Sequence, residues 1–87
     1  MVSQKVVIMN PTGLHLRPAG VFCNEAMKFK CRVTFRHGKD ISNAKSVLSV
    51  LGARIKSGSE IEVICEGEDE EEALRAVVAA VKNGLGE

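Results

Sequence analysis

Residues 60–66, Glu-Ile-Glu-Val-Ile-Cys-Glu, alternate polar and apolar side chains, and this pattern decides the fold. Successive side chains of a β-strand point to opposite faces, so Ile61, Val63 and Cys65 would share one face. A strand with one apolar face and one polar face fits a sheet that is covered on one side only, which is typical of antiparallel sheets. The stretch therefore predicts an antiparallel sheet with one solvated face. The rest of the chain must supply the partner strands and the helices that cover the apolar face.

Three other segments have the properties of strands. Residues 32–36, Arg-Val-Thr-Phe-Arg, alternate in the same way, and His37-Gly38 offers a tight turn to a second arm over residues 39–43. Residues 5–9 form a further apolar alternation that ends at the turn formers of residues 10–13, Asn-Pro-Thr-Gly. The sequence thus predicts four short strands.

Two helices are expected between these strands. Residues 16–28 place apolar side chains at the spacing i, i+3, i+4, i+7 and i+8, the pattern of an amphipathic helix. Pro18 lies in the first turn, where its missing N–H costs little. Ser46 is a favourable N-cap for a short helix over residues 47–51, which Gly52 can end.

A third helix follows the strand at residues 60–66. Asp69 and Glu72 have the spacing of a capping box, and the helix is expected to close at residues 83–84, Asn-Gly. The predicted order is β-α-β-β-α-β-α, in which helices cover one face of an antiparallel sheet. We therefore predict an α+β fold, an open-faced sandwich, over a single domain of residues 1–87.

Length and composition limit the classes of function. The chain has 87 residues, of which 45% are hydrophobic and 26% charged, typical of a globular domain. A net charge of +1 and the absence of Trp and Tyr argue against nucleic-acid binding, which favours basic surfaces and aromatic stacking. The apolar segments are too short for a signal peptide or a membrane span, so we expect a soluble cytoplasmic protein without membrane insertion.

The cysteines and acidic residues do not have the spacing of metal ligands. Cys23, Cys31 and Cys65 contain no C-x-x-C pair and leave an odd thiol, so we expect free thiols in a reducing compartment. The acidic run over residues 66–72 lacks the alternating ligands and central glycine of a calcium loop. We expect no metal site and no cofactor.

Residues 12–19, Thr-Gly-Leu-His-Leu-Arg-Pro-Ala, contain the side chains that are capable of chemistry. Because Pro18 fixes a helix start, His15 is expected at or just before the first turn, beside unpaired N–H groups. Those donors, the helix dipole and Arg17 favour an anion and a neutral imidazole near pH 7, which is what a nucleophile in phosphoryl transfer requires. The alternative is an ordinary surface histidine, and we favour that interpretation for His37 in its hairpin turn.

The segment over residues 13–19, Gly-Leu-His-Leu-Arg-Pro-Ala, closely resembles the active-site signature of the HPr family. Members of this family are the histidine-containing phosphocarriers of the bacterial phosphoenolpyruvate:sugar phosphotransferase system. The resemblance continues through residues 43–46, Gly58, residues 66–69 and residues 84–87, and so covers essentially the whole chain. It implies a four-stranded antiparallel sheet with three helices on one face, and a stoichiometric phosphoryl carrier rather than an enzyme.

The resemblance also implies residue roles and partners. His15 would accept a phosphoryl group at Nδ1 from Enzyme I and pass it to sugar-specific EIIA domains, while Arg17 steadies the phosphoryl oxygens. Ser46 matches the regulatory serine of Gram-positive members, the target of HPr kinase/phosphorylase, although capping alone would also explain it. Phosphorylated Ser46 would favour a catabolite-control transcription factor over Enzyme I. The residues expected to contact partners are Leu16, Gly20, Val47, Leu48 and Leu51, and a monomer is the family expectation.

Four positions depart from the family pattern. Leu16 stands where the signature usually has Ala, Gly20 where Thr or Ala is common, and residues 53–54, Ala-Arg, where the family often has Leu-Gly. These departures keep open a second hypothesis, an HPr paralogue that acts as a regulatory binding module modified at Ser46. A small RNA-binding module is a third hypothesis, which the balanced charge and the lack of aromatic residues on the sheet argue against.

Overall fold

The computed structural model describes residues 1–87 as one four-stranded antiparallel sheet with three helices. The sheet order is β1-β4-β2-β3, and every neighbouring pair is antiparallel. In chain order the elements are β1 (Val2–Val7), α1 (Leu16–Met27), β2 (Arg32–His37), β3 (Asp40–Asn43), α2 (Val47–Gly52), β4 (Glu60–Glu66) and α3 (Glu70–Lys82). The predicted α+β class and the predicted order of elements are confirmed.

Strand β4 lies at the centre of the sheet, between β1 and β2. Its alternating residues Ile61, Val63 and Cys65 are all buried, as the sequence pattern predicts. In the ladder with β2, Cys65 is opposite Val33 and Val63 is opposite Phe35, so the apolar faces of the two strands coincide. This register places a continuous apolar surface under the helices.

The helices cover the apolar face of the sheet. The rings of Phe22 on α1 and Phe35 on β2 pack edge to face, with centroids 5.5 Å apart and an interplanar angle of 87°. Helix α3 contributes a buried stripe that includes Val77 and Val81. Because both long helices bury one stripe against the sheet, the N-terminal end of α1 has a fixed position at the edge of the fold.

Two predicted boundaries are wrong. Strand β1 begins at Val2 rather than residue 5, because it pairs with β4 along its whole length, from Val2 opposite Cys65 to Val7 opposite Glu60. Helix α2 includes Gly52 and ends later, with Ala53 as its C-cap. The left-handed conformation that often follows the end of a helix is taken by Arg54, with φ of 53°, and not by Gly52.

The predicted capping box at the start of α3 is also wrong. The Asp69 carboxylate makes no cap hydrogen bond; it accepts from the backbone N–H groups of Lys30 and Cys31, at 2.9 Å each. These bonds lower the pKa of Asp69, and the bond from Lys30 has the larger effect. The backbone N–H of Gly67 donates to Glu70, at 3.1 Å. Asp69 therefore satisfies the unpaired donors of the turn between α1 and β2, which a local motif cannot reveal.

The three cysteines are buried and unpaired. No group of three or more His, Cys, Asp or Glu side chains is arranged to hold a metal ion. None of the three helices combines the length and the apolar character needed to cross a bilayer.

Candidate functional site

His15 is the N-cap residue of α1 and its side chain is exposed. Its backbone is extended, with φ of −80° and ψ of −177°, and its carbonyl oxygen accepts the first helical bond from Ala19 at 2.8 Å. The imidazole makes no cap hydrogen bond and no ion pair. Both ring nitrogens are therefore open to a reaction partner.

The backbone beside the imidazole presents unpaired donors. The N–H groups of Leu16 and Arg17 have no acceptor, and Pro18 has no N–H to offer. Pro18 itself is buried and anchors the first turn, whereas the guanidinium of Arg17 is exposed and makes no ion pair. Two free amides and the positive end of the helix dipole thus lie next to His15, and Arg17 adds an exposed positive charge two residues along the chain, as an anion would require.

The loop that precedes His15 packs directly against the loop after α2. The Leu14 N–H donates to the Ile55 carbonyl at 2.9 Å. Gly13 has φ of 67°, and a Cβ atom there would lie 2.5 Å from the Ile55 carbonyl oxygen and 2.9 Å from Lys56 Cα. Only a glycine allows this close approach, which fixes the backbone immediately before His15.

A hydrogen-bonded cluster secures the other side of the same loop. Glu87 accepts from Asn10 Nδ2 at 2.9 Å, from Thr12 Oγ1 at 2.8 Å and from the Thr12 N–H at 3.4 Å. Asn10 Nδ2 also donates to the Gly13 carbonyl at 2.6 Å. The bonds from Asn10 and Thr12, with a weaker contribution from Arg17, lower the pKa of Glu87. Sequence analysis missed this cluster, since no local pattern connects residues so far apart in the chain.

A shallow cavity of about 350 Å³ opens beside the imidazole. It brings two cationic residues, Arg54 and Lys56, to the site, and neither side chain makes an ion pair or a hydrogen bond. Sequence analysis did not assign either residue to the site; Arg54 was only noticed as a departure from the family pattern. The lining residues are Thr12, Leu14, His15, Leu51, Arg54, Ile55 and Lys56.

Ser46 is the N-cap residue of α2, and its hydroxyl oxygen accepts from the Ser49 N–H at 3.2 Å. The preceding Lys45 makes one hydrogen bond to α1 and one to the turn that follows it. Its Nζ donates to the Phe29 carbonyl at 2.6 Å, and its carbonyl oxygen accepts from Cys23 Sγ at 3.2 Å. The capping role predicted for Ser46 is confirmed, and its side chain is half-buried.

The residues expected to contact partners differ in exposure. Leu48 is 79% exposed, Leu16 is 66% exposed and Val47 is 37% exposed. Leu51 is half-buried, packs against the core and lines the cavity beside His15, so it is less accessible than the predicted patch requires. Gly20 is half-buried and has no heavy atom within 4 Å of the position of a Cβ atom. Of these five residues, Leu16, Val47 and Leu48 are therefore the exposed apolar side chains.

Residues 2–83 match the family model described as "PTS HPr component phosphorylation site". The chain belongs to the HPr family. It is 41% identical over 83 residues to the HPr-like protein Crh of Bacillus subtilis, covering 94% of this chain and 96% of that relative. It is 37% identical over 79 residues to the phosphocarrier protein HPr of Mycoplasma pneumoniae, covering 90% of each.

The structural similarity extends over the whole fold. The crystal structure of HPr from Thermoanaerobacter tengcongensis superimposes with a TM-score of 0.96 at 34% identity, over 100% of this chain and 98% of that one. As a member of the HPr family the chain is a phosphocarrier-type protein and not itself an enzyme, and the family implies partners in the phosphotransferase system.

Proposed function

We propose that this HPr-family chain carries a phosphoryl group on Nδ1 of His15, which it receives from phosphorylated Enzyme I and delivers to EIIA domains. The observation that supports this most directly is the exposed imidazole at the N-cap of α1, without a side-chain hydrogen bond. A nucleophile that must meet two different proteins has to be accessible, and one that must attack phosphorus has to keep a free lone pair. These partners act in the cytoplasm, and we place the protein there.

The chain's own groups suffice for the transfer. The Nδ1 lone pair attacks the phosphorus, a nitrogen–phosphorus bond forms, and the bond from phosphorus to Enzyme I breaks with its electron pair leaving on the donor. The N–H groups of Leu16 and Arg17, which have no acceptor within the chain, and the Arg17 guanidinium would receive the charge on the phosphoryl oxygens. On delivery to an EIIA domain, the acceptor attacks the phosphorus, and the nitrogen–phosphorus bond breaks with its electron pair returning to Nδ1 of His15.

Phosphorylation by phosphoenolpyruvate and Enzyme I tests the proposal. The wild-type chain should acquire an acid-labile, base-stable label, and His15→Ala should abolish it. Because the imidazole is exposed and makes no hydrogen bond, this variant should remain folded. His37→Ala serves as the matched control and should label normally. Undiminished labelling of His15→Ala would refute the assignment.

We further propose that Ser46 is a regulatory phosphorylation site for an HPr kinase/phosphorylase. A phosphate on this N-cap residue would sit at the start of α2 and add about −2 charge beside the exposed Val47 and Leu48. That charge would weaken docking of Enzyme I and favour a catabolite-control transcription factor. With the kinase and ATP, Ser46→Ala should lose the label while Ser49→Ala keeps it. Ser46→Asp should slow phosphoryl transfer from Enzyme I, and an unchanged rate would contradict the regulatory role.

A regulatory module with little role in sugar transport is the second candidate. It is favoured by the similarity to the Crh proteins of Bacillus subtilis and Halalkalibacterium halodurans, at 41% and 40% identity. Expression in a strain that lacks HPr separates the two candidates. Growth on a phosphotransferase sugar supports the carrier, and failure of a His15-phosphorylated chain to restore growth supports the regulatory module.

We propose that the carrier acts as a monomer. One structural neighbour, Crh of Bacillus subtilis, is described as a swapped, intertwined dimer, and superimposes with a TM-score of 0.77 at 38% identity over 97% of each chain. Sedimentation of the purified chain over a range of micromolar concentrations distinguishes the states. A mass that remains at 9.4 kDa supports the monomer, and a stable doubled mass would contradict it.

A further inference from the structure

Arg54 occupies a backbone conformation that does not suit it. With φ of 53° it is left-handed, directly after Ala53, the C-cap of α2. Helices usually place glycine there, because a Cβ atom in this region meets the neighbouring backbone. A cationic residue that is held in a strained conformation points to a role other than folding, and its position decides which.

Arg54 is one of the residues in the wall of the cavity beside His15. The hydrogen bond from the Leu14 N–H to the Ile55 carbonyl, at 2.9 Å, joins the residue before His15 to the residue after Arg54. His15 and Arg54 are thus held as neighbours across one short backbone contact. Arg54 is exposed and no carboxylate pairs with it, so its guanidinium is available to a ligand.

We propose that the Arg54 guanidinium binds the phosphoryl group on His15 and thereby stabilises the phosphorylated protein; this inference rests on the proposed function. Arg17 lies on α1 and is not among the residues that line the cavity, whereas Arg54 follows α2, so the two arginines belong to different elements on either side of His15. A dianionic phosphoryl group suits several charge-assisted hydrogen bonds, and the planar guanidinium can supply two of them. Arg54 would then be a binding residue for the phosphoryl group, with Lys56 a second cationic residue in the same wall.

The equilibrium constant for phosphoryl exchange between Enzyme I and this chain tests the proposal, because it is independent of how well the two proteins dock. Arg54→Gly and Arg54→Asn remove the charge and suit the left-handed conformation, so both should fold. Each should lower the equilibrium constant by about twofold to fivefold, as expected for one exposed ion pair. Arg75→Asn, which removes an exposed, unpaired arginine from α3, should leave it unchanged.

Nuclear magnetic resonance of the arginine side chains tests the contact itself. When His15 is phosphorylated, the Nε–H signal of Arg54 should shift and exchange more slowly with water, while that of Arg75 should not move. The proposal is overturned if that signal stays in place, or if both Arg54 variants keep the wild-type equilibrium constant. Loss of labelling at His15 in the wild-type chain would instead overturn the proposed function, so the two failures are distinguishable.

Discussion

The side chain of Glu87 couples the loop before His15 to the pH of the solution. Asn10 and Thr12 donate to its carboxylate, and these bonds lower its pKa below the ordinary value of 4.5. A carboxylate with a lowered pKa in the folded state adds stability above its unfolded pKa, and this contribution disappears as the pH falls through the folded value. The stability that the Glu87 carboxylate adds to the loop should therefore be lost only at acidic pH.

Glu87→Gln tests this effect, because it keeps the size of the side chain and removes its titration. We expect the wild-type protein to be the more stable at pH 6 and the difference in unfolding free energy to shrink below pH 4.5. Urea denaturation at a series of pH values measures it. Glu68→Gln is the matched control, since Glu68 is exposed and makes no hydrogen bond or ion pair. A constant difference between wild type and Glu87→Gln across the series would contradict the prediction.

Gly13 is the residue at which the site loop is least tolerant of a side chain. Gly13→Ala adds a Cβ atom in contact with the backbone of Ile55 and Lys56 and also strains the positive φ. We expect a loss of about 3 kcal/mol in unfolding free energy, by the sum of strain and overpacking. Gly38→Ala has a similar φ of 63° but open space, so it should lose only about 1–2 kcal/mol. Equal losses in urea denaturation would show that the close contact with residues 55–57 does not matter.

Among the helices, α1 can be stabilised by a substitution at Gly20. This glycine lies inside the helix, and a Cβ atom there would meet no other heavy atom within 4 Å. Gly20→Ala should therefore raise the unfolding free energy by about 0.5–1 kcal/mol, through backbone entropy alone. Thermal denaturation measures the gain, and a loss of stability would contradict it. Phosphorylation of His15 should be unaffected unless a partner needs the open surface at Gly20, in which case transfer slows while stability rises.

The existence of the helices and strands could be predicted from periodicity, but some of their boundaries could not. Local patterns correctly predict the alternation of β4 and the position of Pro18 in the first turn of α1, because both features depend only on residues that are neighbours in the sequence. The start of β1 depends on a tertiary contact, the ladder with β4, and the donors at Lys30 and Cys31 draw the Asp69 carboxylate away from the capping hydrogen bond of α3, whose bounds the sequence predicts correctly. Hydrogen-bond satisfaction outside the element overrides the local motif.

In the molecule as a whole, some residues of the site are set by local sequence and others by tertiary contacts. His15, Arg17 and the cap at Ser46 belong to single helix ends, so a short segment of sequence reveals them. Glu87 meets Asn10 across 77 positions of the chain, and Arg54 reaches the His15 cavity through the packing of two loops. No local pattern reports such contacts, and they emerge only when the sheet and helices fix where the loops meet.

Cys65 at the centre of the sheet makes the stability of the whole fold sensitive to alkali. It is fully buried on β4, and burial, with the neighbouring Cys31 as a smaller cause, raises its pKa from 9.0 to about 12. The unfolded chain releases the thiol proton above pH 9 while the folded chain retains it, so unfolding free energy falls as the pH rises from 9 towards 12.

One such thiol contributes a slope of about 1.4 kcal/mol per pH unit within that range. The chain has no Tyr, so no phenol contributes to its alkaline titration. In urea denaturation between pH 8 and pH 11, Cys65→Ala should show a shallower decline than the wild-type protein. Cys23→Ala leaves Cys65 in the sheet and should keep the steep decline. If Cys65→Ala declines as steeply as the wild type, the alkaline loss arises elsewhere and the thiol at the centre of the sheet does not control it.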